Sequence, residues 1–439
     1  MDKERSELKK IFATYWPLAV SWLFMAVDTP AITAIVSRMN DPKNVLAAHG
    51  MTYPVILLIE APIVNLISTS LALCVDNKNY KRVRSLMFIL CGFTTFIHIL
   101  ICVPPVFDLI IVRLLGAPAE LRLYSHQELL FVIPWSGSIG FRRFYQGIMI
   151  RNGDSRKVTI GTAIRMVTML TTLFICLRLK DYITGAQTAG FCLSISVVLE
   201  SVYNGIEGRR AVRKFLNKDK LTEPLITWKE LIAFEAPLVL TAFVNNIWQF
   251  IGSAAVSRMI EPVVSLAVWP VMSSLLTLIK CFGNAMNETA LALLPVEGMR
   301  PYLKRFTFYV SVFCFALFLI FALPPVNQWW YASVSSLAPD LVTISKKAFP
   351  LVALLPLATA AQNYYQAELV FGKWTQPVFE SLLVFLAVIL VVLGIGIAAA
   401  RWMGVYVIMV GMGIATTGQT LWLYIRAKQL GKRQNAAAL

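Results

Sequence analysis

A long apolar stretch that occurs twice in the chain constrains the fold more than any other feature. The first copy runs from Ile11 to Met39 and the second from Leu231 to Met259, and Val-Ser-Arg-Met closes both. An offset of 220 residues relates the copies, and the same offset places Pro104-Pro105-Val106 on Pro324-Pro325-Val326. A constant offset over about 130 residues is typical of an internal duplication. We therefore predict that the chain consists of two similar halves.

Each copy is long enough to cross a bilayer as a helix. At about 1.5 Å per residue, its 29 residues exceed the roughly 30 Å hydrocarbon core. The whole chain of 439 residues is 57% hydrophobic and only 15% charged, with a mean hydropathy of +0.67. These values predict an all-α integral membrane protein. Its apolar runs give twelve transmembrane helices, at about 11–38, 46–73, 86–112, 123–150, 158–179, 186–207, 231–258, 266–293, 304–328, 345–370, 377–399 and 404–426.

The basic residues predict the orientation of these spans. If the N-terminus is cytoplasmic, 26 of the 40 lysines and arginines fall on the cytoplasmic side and ten on the other side. Basic segments resist translocation and attract anionic lipid, so both termini are expected to be cytoplasmic at the inner, or plasma, membrane. The net charge of +16 is then explained by topology and by contact with the lipid bilayer, and we expect no nucleic-acid partner.

Six spans per half is an even number, so both halves enter the membrane in the same sense. They should form two six-helix bundles related by a parallel pseudo-two-fold repeat. The predicted domains are an N-terminal lobe at 1–207, a basic cytoplasmic linker at 208–230 and a C-terminal lobe at 231–439. Two such lobes could rock against each other and open a cavity to either side in turn. We expect a monomer.

Several motifs of catalysis and cofactor binding are missing from the sequence. It has no G-x-x-x-x-G-K-[ST], no H-E-x-x-H and no G-x-S-x-G, and its three histidines are isolated. The seven cysteines include no C-x-x-C pair. We therefore expect no ATP-driven pump, no enzyme, no cofactor and no metal site.

Polar residues inside the predicted spans are the candidate binding residues, because an ionised side chain at mid-bilayer costs at least about 2.5–3.5 kcal/mol. Asp28 stands in the first span before Pro30, which leaves the carbonyl of Ala26 without its helical donor. The alternative role is a structural hydrogen bond to a neighbouring helix. The residues assigned to cation coupling or substrate binding are Asp28, Glu60 and Asn65.

Two adjacent arginines, Arg142 and Arg143, lie about 12 Å inside the fourth predicted span. A guanidinium matches the geometry of a carboxylate or a phosphate, so they predict a positive patch for an anionic substrate. The alternative is that they extend to the cytoplasmic headgroups. Because adjacent positions on a helix point about 100° apart, at most one of them should face the lumen fully. The candidate substrate-binding residues are Arg142, Arg143, Tyr145, Asn245, Asn246, Gln249, Lys280, Gln362 and Asn363.

These features resemble a known family. The early proline of spans one and seven, the late acid of span one, and Tyr145-Gln146-Gly147 followed by Arg151-Asn152-Gly153-Asp154 are similar to the multidrug and toxic compound extrusion (MATE) transporters. These belong to the MOP flippase superfamily. Tyr15-Trp16-Pro17-Leu18, Ala26-Val27-Asp28, Val256-Ser257-Arg258 and Ala61-Pro62 with Asn65 resemble its progressive ankylosis (ANK)-like branch, which is associated with export of pyrophosphate, ATP and citrate.

The resemblance implies a secondary transporter that exports a small organic molecule by rocker-switch alternating access, in antiport with H⁺ or Na⁺. It makes an organic anion one candidate substrate and Asp28 the coupling residue. The family often has acids in spans seven and ten, where this chain has Asn245, Asn246, Gln362 and Asn363, so a sodium site in the second lobe is in doubt. The alternatives are a flippase for a lipid-linked substrate and an intramembrane enzyme, for which we find no reactive cluster.

Overall fold

The protein is built from helices, as expected for a chain whose backbone must satisfy its own hydrogen bonds in lipid. The computed structural model describes residues 2–216, 225–372 and 374–437, so part of the predicted linker, residues 217–224, lies outside the described residues. The helices of the described chain are α1 (Asp2–Ala26), α2 (Asp28–Val36), α3 (Pro42–Ile59), α4 (Leu66–Leu73), α5 (Asn77–Cys102), α6 (Pro104–Phe107), α7 (Arg122–Arg151), α8 (Ser155–Arg178), α9 (Gly185–Leu216), α10 (Trp228–Val256), α11 (Pro262–Leu293), α12 (Arg300–Ala322), α13 (Pro324–Gln328), α14 (Pro339–Ala348), α15 (Leu354–Phe371), α16 (Gln376–Ala399) and α17 (Gly404–Ala437), with short 3₁₀ turns at Ala119–Leu121 and Phe349–Val352.

Unusual backbone features recur at the offset of 220 residues. A π-helical turn occupies Asp108–Leu114 in the first half and Trp329–Val334 in the second. Asp41 and Glu261, each directly before a helix that begins with proline, have φ of 52° and 48°. Such left-handed backbone is uncommon for residues other than glycine. The local structure therefore repeats with the sequence, while the pseudo-two-fold relation of the halves stays a prediction.

The first half is interrupted at two positions where it has proline and the second half has phenylalanine. Pro30 follows the break between α1 and α2, and Pro62 lies in the irregular segment 60–65 between α3 and α4. The residues at the offset of 220 are Phe250 and Phe282, and there α10 and α11 continue without a break. Since proline has no N–H and its ring clashes with the preceding turn, it interrupts a helix that phenylalanine allows to continue. Both breaks lie beside candidate acids of the sequence.

The chain forms two compact units. The N-unit is Arg38–Ser257, and the C-unit combines Met1–Ser37 with Arg258–Leu439. Each crossing from one unit to the other therefore falls inside a copy of Val-Ser-Arg-Met, between its serine and its arginine. The strongest internal repeat of the sequence is thus also where the chain changes unit.

These units differ from the chain-order lobes in the placement of the first and seventh predicted spans. Helices α1 and α2 lie in the C-unit, where the Tyr15 hydroxyl donates to the carbonyl of Phe282 on α11 at 2.9 Å. Helix α10 lies in the N-unit and packs against α3 and α4. The predicted boundaries at 207 and 231 describe the sequence repeat and stay a prediction.

The described helices include nine that are long and apolar enough to cross a membrane, and ten if the bent pair Pro339–Val352 and Leu354–Phe371 counts as one span. Large apolar side chains such as Phe96, Phe174 and Val391 are about 61% exposed, as expected of surfaces that face lipid. The protein is therefore an integral membrane protein. The other two predicted spans correspond to the interrupted α3–α4 and to α7, so the count of twelve stays a prediction.

Candidate functional site

Two glycines of α7 bring this helix against the interrupted second span within the N-unit. A Cβ atom on Gly140 would stand 3.1 Å from the Cβ of Ile63, and one on Gly147 would stand 2.3 Å from the carbonyl oxygen of Ile67. The helix backbones can approach this closely only because no side chain intervenes. Arg143 lies between the two glycines in sequence, about one turn from each.

Arg142 is bound in a buried network. Its Nη1 donates to Glu200 Oε2 at 2.5 Å, and Gln146 Nε2 donates to Glu200 Oε1 at 3.1 Å. Arg165 on α8 approaches the same carboxylate, with Nε 3.4 Å from Oε2. Glu200 on α9 has no exposed surface. The network therefore ties α7, α8 and α9 together and fixes the direction of Arg142.

Arg143 and Glu60 lie within electrostatic range of each other and have no such bonds. Glu60 is buried at the end of α3, and Arg142 and Arg143 lie within its electrostatic range. Arg143 is half-buried, with Glu60 and Glu200 as the carboxylates in its own electrostatic range. In the described part of the chain, no hydrogen bond or ion pair joins either side chain to a partner. Arg142 and Arg143 therefore differ in their contacts, while the expectation that at most one of them faces the lumen stays a prediction.

The cluster gathers five charged side chains from the end of α3 and from α7, α8 and α9. Three arginines face two carboxylates, those of Glu60 and Glu200. At the offset of 220, Gln362 and Asn363 match Arg142 and Arg143, Lys280 matches Glu60, and Thr420 matches Glu200. The second half therefore does not repeat the charges of this cluster.

Helix α10 is attached along α3 and α4 by polar contacts within the N-unit. Four hydrogen bonds, donors first, join Ser253 to the Gly50 carbonyl at 2.9 Å, Asn246 to the Leu57 carbonyl at 3.0 Å, Asn65 to the Leu238 carbonyl at 2.8 Å and Thr69 to the Glu235 carboxylate at 2.5 Å. The structure thus places Asn65 and Asn246 at a helix contact. Of the other predicted residues on α10, Asn245 is exposed and Gln249 is half-buried.

The remaining predicted residues of the C-unit lie on α2, α11 and α15. Asp28 is buried at the start of α2. The side chain of Asn363 donates to the Thr359 carbonyl at 2.9 Å, and its backbone carbonyl accepts from the Asn287 side chain at 3.2 Å. Lys280 and Gln362 are half-buried. Because Arg142 and Arg143 belong to the other unit, the predicted patch that combines them with Lys280 stays a prediction, as does a site shared by Asp28 and Glu60.

Tyr145 is placed away from Arg143. It is buried between Phe141 and Phe144, with ring centroids 4.8 Å and 5.2 Å away. It also interacts with Tyr80 and Arg209 near the C-terminal end of α7. These contacts stabilise the end of the helix, and its role in substrate binding stays a prediction.

Sequence reasoning did not identify Glu200, Arg165 or Glu235 as site residues. Each is a single charge in an apolar helix, and its partner lies on another helix, so no spacing along the chain indicates the pair. Glu235 is a buried acid two residues before Pro237, and its Oε1 has no hydrogen-bond partner among the described residues. An acid beside a proline in a span was the available signal, since it was the signal used for Asp28.

Glu128, on α7, is a further buried carboxylate, and hydrogen bonds from neighbouring side chains hold it in place. Glu128 accepts hydrogen bonds from His49 Nδ1 and Thr52 Oγ1, both at 2.6 Å, and all three are buried. Within the described residues, no group of three or more histidines, cysteines or carboxylates could hold a metal ion.

No model of a protein family matches the chain, and no curated protein does either. Solved structures do resemble it. The inward-facing conformation of a multidrug resistance MATE family transporter of the MOP superfamily superposes with a TM-score of 0.70 at 16% identity, covering 96% of this chain and 99% of that one. An outward-facing conformation of such a transporter gives 0.66 at 16% identity and 97% coverage of both chains. A MOP superfamily transporter from Pyrococcus furiosus, with a binding pocket of reverse polarity, gives the same three values. The chain therefore has the fold of MATE transporters.

Proposed function

We propose that the protein is a secondary active transporter that exports a small organic anion by rocker-switch alternating access. The observation that carries this proposal is the arginine cluster of the N-unit, where three guanidinium groups face two carboxylates inside apolar helices. A guanidinium group in the membrane, such as that of Arg143, is costly unless an anion balances it. Arginine binds carboxylates and phosphates with two parallel hydrogen bonds, which favours substrates that carry these groups.

The fold supports alternating access. Two solved structures of transporters with this fold, each 16% identical to this chain, show an inward-facing and an outward-facing conformation. The chain has two compact units linked by two crossings, which suits a mechanism in which one unit moves relative to the other. We assign the finer resemblance to the ANK-like branch as part of this proposal, because the export of pyrophosphate, ATP and citrate suits an arginine site.

Export against a gradient requires a coupling ion. We propose H⁺ or Na⁺ in antiport with the substrate, with Asp28 as the coupling residue, because its carboxyl is buried where proline interrupts the first span. No other cofactor is needed. The transporter would act as a monomer in the inner, or plasma, membrane with both termini in the cytoplasm.

Flux into proteoliposomes tests the function. Purified wild type, Asp28→Asn and Arg143→Gln are compared with radiolabelled citrate, pyrophosphate, ATP and a cationic dye, at two pH values and with or without Na⁺. We expect the wild-type protein to transport an anion. The transport rate of Arg143→Gln should be at least about tenfold lower. The rate of Asp28→Asn should no longer depend on pH or Na⁺. Size-exclusion profiles control for folding.

The other outcomes separate the alternatives. Movement of the dye alone would contradict an anion substrate and indicate a drug extruder. Movement of no solute by folded protein would favour the flippase alternative, which a lipid-linked pyrophosphate scrambling assay then tests. Retention of full anion flux by Arg143→Gln would remove the arginine cluster from the mechanism.

A further inference from the structure

Glu60 and Arg143 are the two charged groups of the cluster that no direct bond fixes. Arg142 is bonded to Glu200, and Arg165 approaches Glu200 at 3.4 Å. Glu60 and Arg143 lie within electrostatic range of each other, yet neither has a hydrogen bond or ion pair with another side chain in the described chain. They are therefore free to change partners without breaking the network that holds α7, α8 and α9.

The backbone around Glu60 keeps it opposite α7. The contact of Gly140 with Ile63 places the irregular segment 60–65 directly against α7. The backbone of Glu60 is held at this break, because its N–H donates to the Ile56 carbonyl at 3.1 Å and its own carbonyl accepts from the Val64 N–H at 3.2 Å. On α10, the neighbouring acid Glu235 is engaged by Thr69. The charged groups that act on Glu60 are accordingly the two adjacent arginines.

We propose that Glu60 is a tethered counter-ion for Arg143, and that a carboxylate or phosphate group of the transported anion displaces it. The inference rests on the proposed anion transport. In the empty carrier the Glu60 carboxylate balances the guanidinium. In the loaded carrier the substrate takes its place on Arg143.

This exchange of partners determines which carrier forms can change conformation. A guanidinium without a counter-charge is costly to enclose between apolar helices. With Glu60 present, both the empty and the loaded carrier have a balanced Arg143 and can reorient, so net export is possible. Without the carboxylate, only the loaded carrier is balanced, and transport should be limited to exchange of one anion for another.

The experiment compares net efflux with exchange in the same proteoliposomes. Vesicles are loaded with radiolabelled citrate, and in a second series with radiolabelled pyrophosphate. They are then diluted either into buffer without the anion or into buffer with the unlabelled anion. The variants are Glu60→Gln, which keeps the size of the side chain, and Glu60→Asp, which keeps its charge. Glu235→Gln is the matched control, because it neutralises a buried acid of the same unit that contacts a threonine.

In Glu60→Gln we expect net efflux to fall about tenfold or more while exchange stays near the wild-type rate. The variant should also bind the anion more tightly, since the competing carboxylate is gone. Glu60→Asp should keep net efflux, and Glu235→Gln should leave the ratio of net efflux to exchange unchanged. A Glu60→Gln protein that exchanges anions also demonstrates its own folding.

An unchanged ratio of net efflux to exchange in Glu60→Gln would contradict the role of Glu60 as a counter-ion. An equal loss of both fluxes in Glu60→Gln would also contradict it, if Glu60→Asp differs from wild type in both fluxes. Failure of the proposed function looks different, because wild-type protein would then show neither net efflux nor exchange of citrate or pyrophosphate. The wild-type fluxes thus separate the two failures.

Discussion

Replacing Arg142 with methionine is expected to destabilise the protein by about 3 kcal/mol, whereas the same change at Arg143 should cost much less. The reason is the different environment of the two neighbours. Arg142 is bonded to the fully buried Glu200, and its removal leaves that carboxylate with Gln146 and a more distant Arg165. Removing one partner of a buried ion pair costs more than the pair itself contributes, because the remaining charge stays buried.

Thermal unfolding in detergent provides the measurement. The seven cysteines of the chain are all buried in the folded protein, so a thiol-reactive fluorophore reports unfolding without an added label. The double variant Arg142→Met with Glu200→Met removes both charges and should regain part of the loss. A stable Arg142→Met together with an unstable Arg143→Met would reverse the roles assigned here and place the structural ion pair on Arg143.

Much of the fold was predictable because membrane helices are specified locally. The repeat at an offset of 220, the all-helical class and most helix positions follow from apolar runs and prolines. For example, the predicted span 377–399 is observed as Gln376–Ala399. The break before Pro30 was also predictable from the missing N–H. In the second span the sequence contained the same signal at Pro62, yet the apolar run through it indicated one continuous helix.

The candidate site was only partly predictable, because it depends on contacts between distant segments. The sequence identified Arg142, Arg143 and Glu60 as costly charges in lipid, and its prediction that at most one of the two arginines faces the lumen fully stays a prediction. It gave no means of pairing Arg142 with Glu200, which lies 58 residues away on another helix. The sequence order also could not indicate that α10 packs with α3 and α4, since the hydrogen bonds that hold it involve backbone carbonyls.

The glycines of α7 support the second large prediction, because they determine how closely this helix approaches the second span. A Cβ atom at position 147 would lie 2.0 Å from Ser70 Oγ and 2.3 Å from the carbonyl oxygen of Ile67. The hydroxyl can rotate away, but a backbone oxygen moves only with its helix. Gly92 on α5 of the same unit offers the contrast, since a Cβ there meets nothing within 4 Å.

We therefore expect Gly147→Ala to destabilise the protein by about 3 kcal/mol or more through overpacking, and Gly92→Ala to be neutral or to stabilise by up to about 1 kcal/mol through helix propensity. Both are measured by the same thermal unfolding.

Adding Ser70→Ala to Gly147→Ala should recover only part of the loss of stability, since the clash with the Ile67 carbonyl remains. Full recovery would mean that the hydroxyl alone sets the approach, and equal stability of the two alanine variants would contradict close packing of α7 on α4. Because α7 carries Arg143, a Gly147→Ala protein in which α7 is displaced from α4 should also lose anion transport, while Gly92→Ala should keep it.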